Sequence, residues 1–273
     1  MDRRHARARR ESAAAGPEAL TAEELIASAL YASNDEDRYW QLVYQLQDRG
    51  TAEIFSAACA LTLSETASER VLGVRILSQG QSFTKTFRDE VELLLQLLES
   101  ESDADVLAAL GSALGHWQEP RAIHRLSELR AHPSANVRFG VVMGMLGHDD
   151  PVAIRTLIGL SEDVDTDVRD WATFGLGSQI DRDTDEIRST LERRLDDSDA
   201  DTRLEALVGL ARRKDERALA PLLEELSQEK VASGALEAAE AFADPRLCDA
   251  LVRLRGAGVD AVSAAIRSCS CET

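Results

Sequence analysis

DTDVRDWATFGLG, residues 165–177, decides how this chain folds. With Arg169 as the origin, Val168, Ala172, Thr173 and Leu176 fall on one face at helical spacing and form a buried stripe. Asp170, Trp171, Phe174 and Ser178 occupy the opposite arc. The same nine-residue block recurs without gaps. RDWATFGLG from Arg169 aligns with RVLGVRILS from Arg70, LAALGSALG from Leu107, RFGVVMGML from Arg138 and RLEALVGLA from Arg203, and more weakly with ASGALEAAE from Ala232. The starts lie 37, 31, 31, 34 and 29 residues apart. That period accommodates two helices of about 12 residues and two short turns.

The segments between the blocks match as well. They read EPRAIHRLSEL (119–129), DPVAIRTLIGL (150–160), DERALAPLLEEL (215–226) and DPRLCDALVRL (244–254). An acid before Pro suits a helix start, since the carboxylate caps free amides and Pro is tolerated in the first turn. Acidic turns at 102–105, 163–167 and 197–201 separate the first helix of each pair from the second. Single glycines near 111, 144, 175 and 209 recur at repeat positions and mark close helix packing. Each amphipathic pair needs neighbours to bury its stripe, so about seven pairs are expected to stack right-handedly between residues 51 and 267. The expected organisation is all-α. A disordered Arg-rich arm (1–17) precedes one α-solenoid domain (18–268, with a helical cap at 18–50 and repeats from 51), and a frayed tail follows at 269–273.

Composition agrees with that class and limits the functions. Aromatics are scarce at 4% of 273 residues, and runs of strand formers are missing. The formal net charge is −18. Residues 1–16 hold five Arg against Asp2 and Glu11, a net of +3, which leaves −21 for the rest. Such a surface repels phosphate backbones, so nucleic acid is not the expected partner, and a basic protein or peptide suits the field better. The basic clusters Arg193–Arg194 and Arg212–Arg213–Lys214 stand among many acids. No apolar run reaches about 18 residues, and the N-terminal segment lacks the apolar stretch of a secretory signal, so no membrane span and a cytoplasmic location are expected. Cys59, Cys248, Cys269 and Cys271 are too few and too irregular for a disulfide framework.

The DTDVRDWATFGLG run, with DxRAxxxLxxL segments around it, resembles bacterial HEAT-repeat proteins, whose short repeats are shared with phycobilin lyase subunits. The resemblance covers about residues 51–255 and is specific for the fold. It implies no single activity, because proteins with this repeat include scaffolds, chromophore lyases, an iron-dependent hydroxylase and DNA glycosylases. The hydroxylase holds iron through His-Glu dipeptides. None of His5, His116, His124, His132 and His148 is followed by Glu.

Other chemistry lacks its residues. From Asp163 an EF-hand loop would need Gly and Glu where Val168 and Phe174 stand, and from Asp197 where Thr202 and Val208 stand. The turn acids instead suit helix capping and pairing with Arg138, Arg169 and Arg203. No nucleophile elbow, phosphate loop or HExxH motif is present. No catalytic residue, metal or cofactor is expected, and the chain is expected to be a monomer.

In such stacks the second helices line the concave surface. The arc around Asp170, Trp171, Phe174 and Ser178 continues through Phe139 and Met143 on one side and Glu205, Val208 and Arg212 on the other. Ser112, His116 and Trp117 extend it upstream. An apolar centre flanked by charge suits a protein-binding patch, with Trp and Met as anchors. The expected function is therefore a non-catalytic scaffold that binds a protein or peptide there. The alternative is a phycobilin-lyase-like subunit or chaperone cradling a tetrapyrrole, implied by the resemblance alone.

Overall fold

A threonine or an acid starts nearly every long helix, and its side chain takes an amide of the first turn. Thr21, Asp35, Thr51, Asp103, Asp150, Asp165, Thr184 and Asp199 all do so in the computed structural model, which describes residues 20–78, 87–256 and 262–271. All regular structure among the described residues is helical. A cap of α1 (Ala22–Tyr31) and α2 (Glu36–Arg49) comes first. Seven pairs follow: α3 (Ala52–Thr62) with α4 (Ala67–Leu77), α5 (Phe87–Ser100) with α6 (Ala104–His116), α7 (Ile123–Glu128) with α8 (Ala135–Met145), α9 (Pro151–Leu160) with α10 (Thr166–Phe174), α11 (Asp185–Arg194) with α12 (Ala200–Arg212), α13 (Leu219–Glu225) with α14 (Ser233–Phe242), and α15 (Cys248–Gly256) with α16 (Ser263–Ser268). The arm expected at 1–17 lies outside the described residues.

The stripe read from the sequence is the core. Val168, Ala172, Thr173 and Leu176 are fully buried. The chain falls into two compact units, Met1–Gly144 and Met145–Thr273. In a repeat array each pair touches its neighbours, so contacts are local and no one core spans the chain. Each unit is described by itself.

Within each unit the turns are locked by arginine. In unit 2 the Arg169 Nη1 donates to the Asp163 carbonyl of its own turn at 2.8 Å. Its Nε and Nη2 fork onto the Asp197 carboxylate of the following repeat at 2.8 and 3.0 Å. Arg203 repeats the first half, donating to the carbonyls of Asp197 and Ser198. In unit 1 Arg70 donates to the carbonyls of Ser64 and Glu65 and forks onto Glu101, and Arg138 donates to those of His132 and Pro133. The acids therefore divide their labour. Asp103, Asp165 and Asp199 cap second helices, while Glu101 and Asp197 accept turn amides and receive the arginine of the preceding repeat.

A second ladder runs along the first helices. Arg121, Arg217 and Arg246 each stand two residues after a capping acid (Glu119, Asp215, Asp244) and pair with it. Each also reaches an acid of the preceding repeat: Glu92, Glu192 and Glu216. The glycines close the second helices together. A Cβ on Gly209 would lie 2.6 Å from the Gly177 Cα, and one on Gly111 would collide with the Gly140 carbonyl oxygen.

Residues 269–271 are packed, unlike the frayed tail expected over 269–273, and a disulfide stands where no disulfide framework was expected. Cys248 at the start of α15 is joined to Cys271 by a disulfide, with Cα atoms 5.3 Å apart. Cys269 is 1% exposed. The reason is tertiary: α16 folds against α15 and α14, bringing the last turn back to Cys248.

Two outcomes are expected. Arg169→Ala strands a buried carboxylate and a turn carbonyl, so urea unfolding should show a loss on the order of 3 kcal/mol, and Arg169→Lys should recover part of it because an ammonium cannot fork. Reducing the disulfide, which closes a loop of 23 residues, should lower stability by about 3 kcal/mol, read as a fall in Tm with a phosphine reductant.

Candidate functional site

In unit 2 the second helices α10, α12 and α14 pack side by side, α12 lying against both others. Asp170, one residue after the buried Arg169, is half-buried, and its Oδ1 is sealed from water with no hydrogen-bond partner. Burial pushes its carboxyl up to about 6, helped by repulsion from Asp199, Asp201 and Asp167, with Arg169 opposing. Glu205 on α12, also half-buried, is pushed up to about 7 by burial first and then by Asp170, Glu237 and Asp201. Three successive second helices thus present Asp170, Glu205 and Glu237 as a row, with Glu205 repelled from both sides.

Beside that row lie two half-buried rings. Trp171 and Phe174 meet edge to face, with centroids 5.6 Å apart and planes at 76°. Ser178 is half-buried in a π-helical turn, Gly175–Gln179, that ends α10, and Arg212 is exposed. Val208, expected on this face, is 3% exposed and belongs to the packing between helices. One helical turn separates it from Glu205, but α12 has neighbours on both sides, and that narrows its free arc.

The π turn is held by Arg213. Its Nη2 donates to the carbonyls of Leu176, Ile180 and Arg182 at 2.9, 2.8 and 3.1 Å, and its Nη1 to those of Gly177 and Gly209 at 3.1 and 3.0 Å. In sequence Arg213 belongs to a basic cluster with Arg212 and Lys214, and in the structure its guanidinium is spent on backbone carbonyls. Lys214 donates to the carbonyls of Ala241 and Phe242, Arg194 to Ser161 and Asp197, and Arg193 pairs with Glu162. A cluster of basic letters is here a set of helix-end ties.

The expected residues of unit 1 are placed as follows. Phe139 and Met143 are half-buried on α8. Ser112 returns its hydroxyl to the Ala108 carbonyl, and His116 is exposed. Trp117 donates its indole N–H to the Leu77 carbonyl at 3.2 Å, tying the end of α6 to the end of α4. The aromatic residues of the cap receive a cation that the sequence did not reveal: Arg75 sits 4.8 Å over Trp40 and 5.0 Å over Tyr39. Among the described residues no set of three or more His, Cys, Asp or Glu gathers to hold a metal, and no helix is long and apolar enough to cross a membrane.

Paired helices tied turn to turn by arginine define an all-α repeat protein of the α-solenoid class. The chain belongs to the HEAT-repeat family, whose sequence pattern matches residues 91–177 and 156–243. It is similar to Protein YibA of Escherichia coli K12, 28% identical over 212 residues, or 76% of this chain and 75% of that one. The X-ray structure of YibA superposes with a TM-score of 0.74 at 22% identity, covering 100% of this chain and 98% of that one. An engineered protein gives a TM-score of 0.55 at 18% identity over 97% of this chain and 83% of its own. The CpcE–CpcF complex of phycocyanin lyase from Nostoc gives a TM-score of 0.48 at 17% identity over 94% of this chain and 96% of that one.

Raised carboxyl values set the sign of a pH test. In the unfolded chain both groups ionise near pH 4. The contribution of these two groups is therefore fully present below about pH 4 and is lost as pH rises through the folded values near 6 and 7. Asp170→Asn should raise stability at pH 8 by on the order of 1 kcal/mol after allowance for partial solvation, and should flatten the fall between pH 4.5 and 7.5. Thermal melts across that range check it, and an unchanged slope would count against the row.

Proposed function

We propose that the chain is a non-catalytic scaffold, and that the second-helix face of unit 2 docks a basic stretch of a partner protein. One observation carries the reading. Asp170 and Glu205 are held half-buried on adjacent helices, lifted by burial and by repulsion from neighbouring acids, beside the Trp171–Phe174 pair. The nearby cation, Arg169, is already committed to Asp197 and Asp163. A lysine or arginine from outside would neutralise the row, and its stem and neighbouring apolar residues would cover the rings. The net charge of −18 steers such a partner toward the protein. The family supports a scaffold without naming the partner. The tetrapyrrole alternative has no observation of its own on this face.

A fluorescein-labelled 15-residue Lys–Leu peptide provides the test. Its affinity should rise from pH 5.5 to 7.5 as the carboxyls ionise, and should fall roughly tenfold with Asp170→Lys plus Glu205→Lys in chains that keep their helical circular dichroism. Trp171→Phe should retain more affinity than Trp171→Ala. Equal affinity for a Glu–Leu peptide, or indifference to the charge reversal, would sink the reading.

A further inference from the structure

Unit 1 carries an open groove of about 440 Å3 between the start of α1 and the exposed side of α3. Its floor is small and apolar, made by Ile26, Ala57, Ala60 and Leu61. Acids stand at its margin: Glu23, Glu53 and Glu69. Neighbouring acids elsewhere are matched, as Glu24 is by its capping box and Glu101 by Arg70. Glu69 takes only the Ser64 hydroxyl, while Glu23 and Glu53 meet no cation among the described residues.

We propose that residues 2–16 of this chain dock in that groove, their arginines against the marginal carboxylates and their alanines on its floor. Three observations favour this occupant over a separate molecule. The first is position. The segment leads directly into α1, whose first-turn residues Ala22 and Glu23 line the groove, and Arg49 anchors the exit point by donating to the Leu20 carbonyl. The second is charge, a net of +3 on Arg3, Arg4, Arg7, Arg9 and Arg10 less Asp2 and Glu11, in a chain of net charge −18. The third is size. Ala6, Ala8 and Ala13–Ala15 interleave with or follow the arginines, and short side chains fit a floor built from Ala57 and Ala60. Tethering supplies the rest. A segment of this length reaches tens of Å when extended, at about 3.3 Å per residue, and meets an adjacent site at an effective concentration of about millimolar. The docking is independent of the unit 2 face, so either can fail alone.

Trypsin reads it directly, because every arginine of the segment is a cleavage site. In full-length protein at low salt, cleavage after Arg3, Arg4, Arg7, Arg9 and Arg10 should run roughly fivefold slower than in a free peptide of residues 1–16. The Glu23→Lys plus Glu53→Lys variant, with its circular dichroism unchanged, should lose that protection, as should the native chain in ~0.5 M salt. Adding Arg7→Glu and Arg9→Glu to the variant should restore protection at the remaining arginines. Cleavage of the native chain at the free-peptide rate would overturn the proposal. So would protection that survives the charge reversal, or protection that grows with protein concentration and thereby points to a second copy.

Discussion

The fold depends on an arginine that serves two turns at once. A helix pair leaves unpaired carbonyls where its first helix ends, and the acidic turn that follows would repel the next acidic turn. Arg169 answers both problems, because a planar guanidinium donates in two directions and cannot lose its proton. One edge satisfies the Asp163 carbonyl and the other forks onto Asp197. Arg70 does the same with Ser64 and Glu101. Registry between neighbouring repeats is therefore set by charge-assisted hydrogen bonds, whereas the apolar stripe supplies most of the burial without direction.

The repeat also explains where charge is left unbalanced. On the turns and along the first helices, acids and arginines alternate in pairs that bridge repeats, so most of the negative charge is answered. On the second helices of unit 2 it is not. Asp170, Glu205 and Glu237 follow one another at repeat spacing, and the charges of Asp170 and Glu237 help burial to raise the Glu205 carboxyl. A fold with so regular a supply of arginine could have neutralised this row by one substitution. Its persistence beside two aromatic rings is the physical content of the docking proposal, since a face that is strained alone gains most from a cationic partner.

Close approach of backbones shapes that face as much as charge does. Gly177 and Gly209 pass so near each other that neither tolerates a side chain, and α10 widens into a π turn where they meet. The carbonyls released by that turn are gathered by Arg213, from the end of the adjacent helix. The position of Ser178 and the end of the aromatic pair thus rest on a residue thirty-odd positions away in the chain.

Much of this could be read from the letters. The nine-residue block starting at Arg70, Arg138, Arg169 and Arg203 announces second helices, because a period near thirty with an apolar stripe has one economical packing; the acids before each block announce its cap. Val168, Ala172, Thr173 and Leu176 were identifiable as core for the same reason, helical spacing being a local property. What the letters could not show was how far each side chain reaches. Arg213 looked like one of a run of basic residues because four of its five acceptors lie in and just after the π turn, more than thirty residues back in the chain, and Val208 looked exposed because the helix flanking it is distant in sequence. Cys248 and Cys271 looked unrelated until the last helix folded back. Local periodicity determined the elements and their caps, since both depend on residues within a turn or two. Tertiary structure decided which polar groups found partners, since that depends on which helices become neighbours.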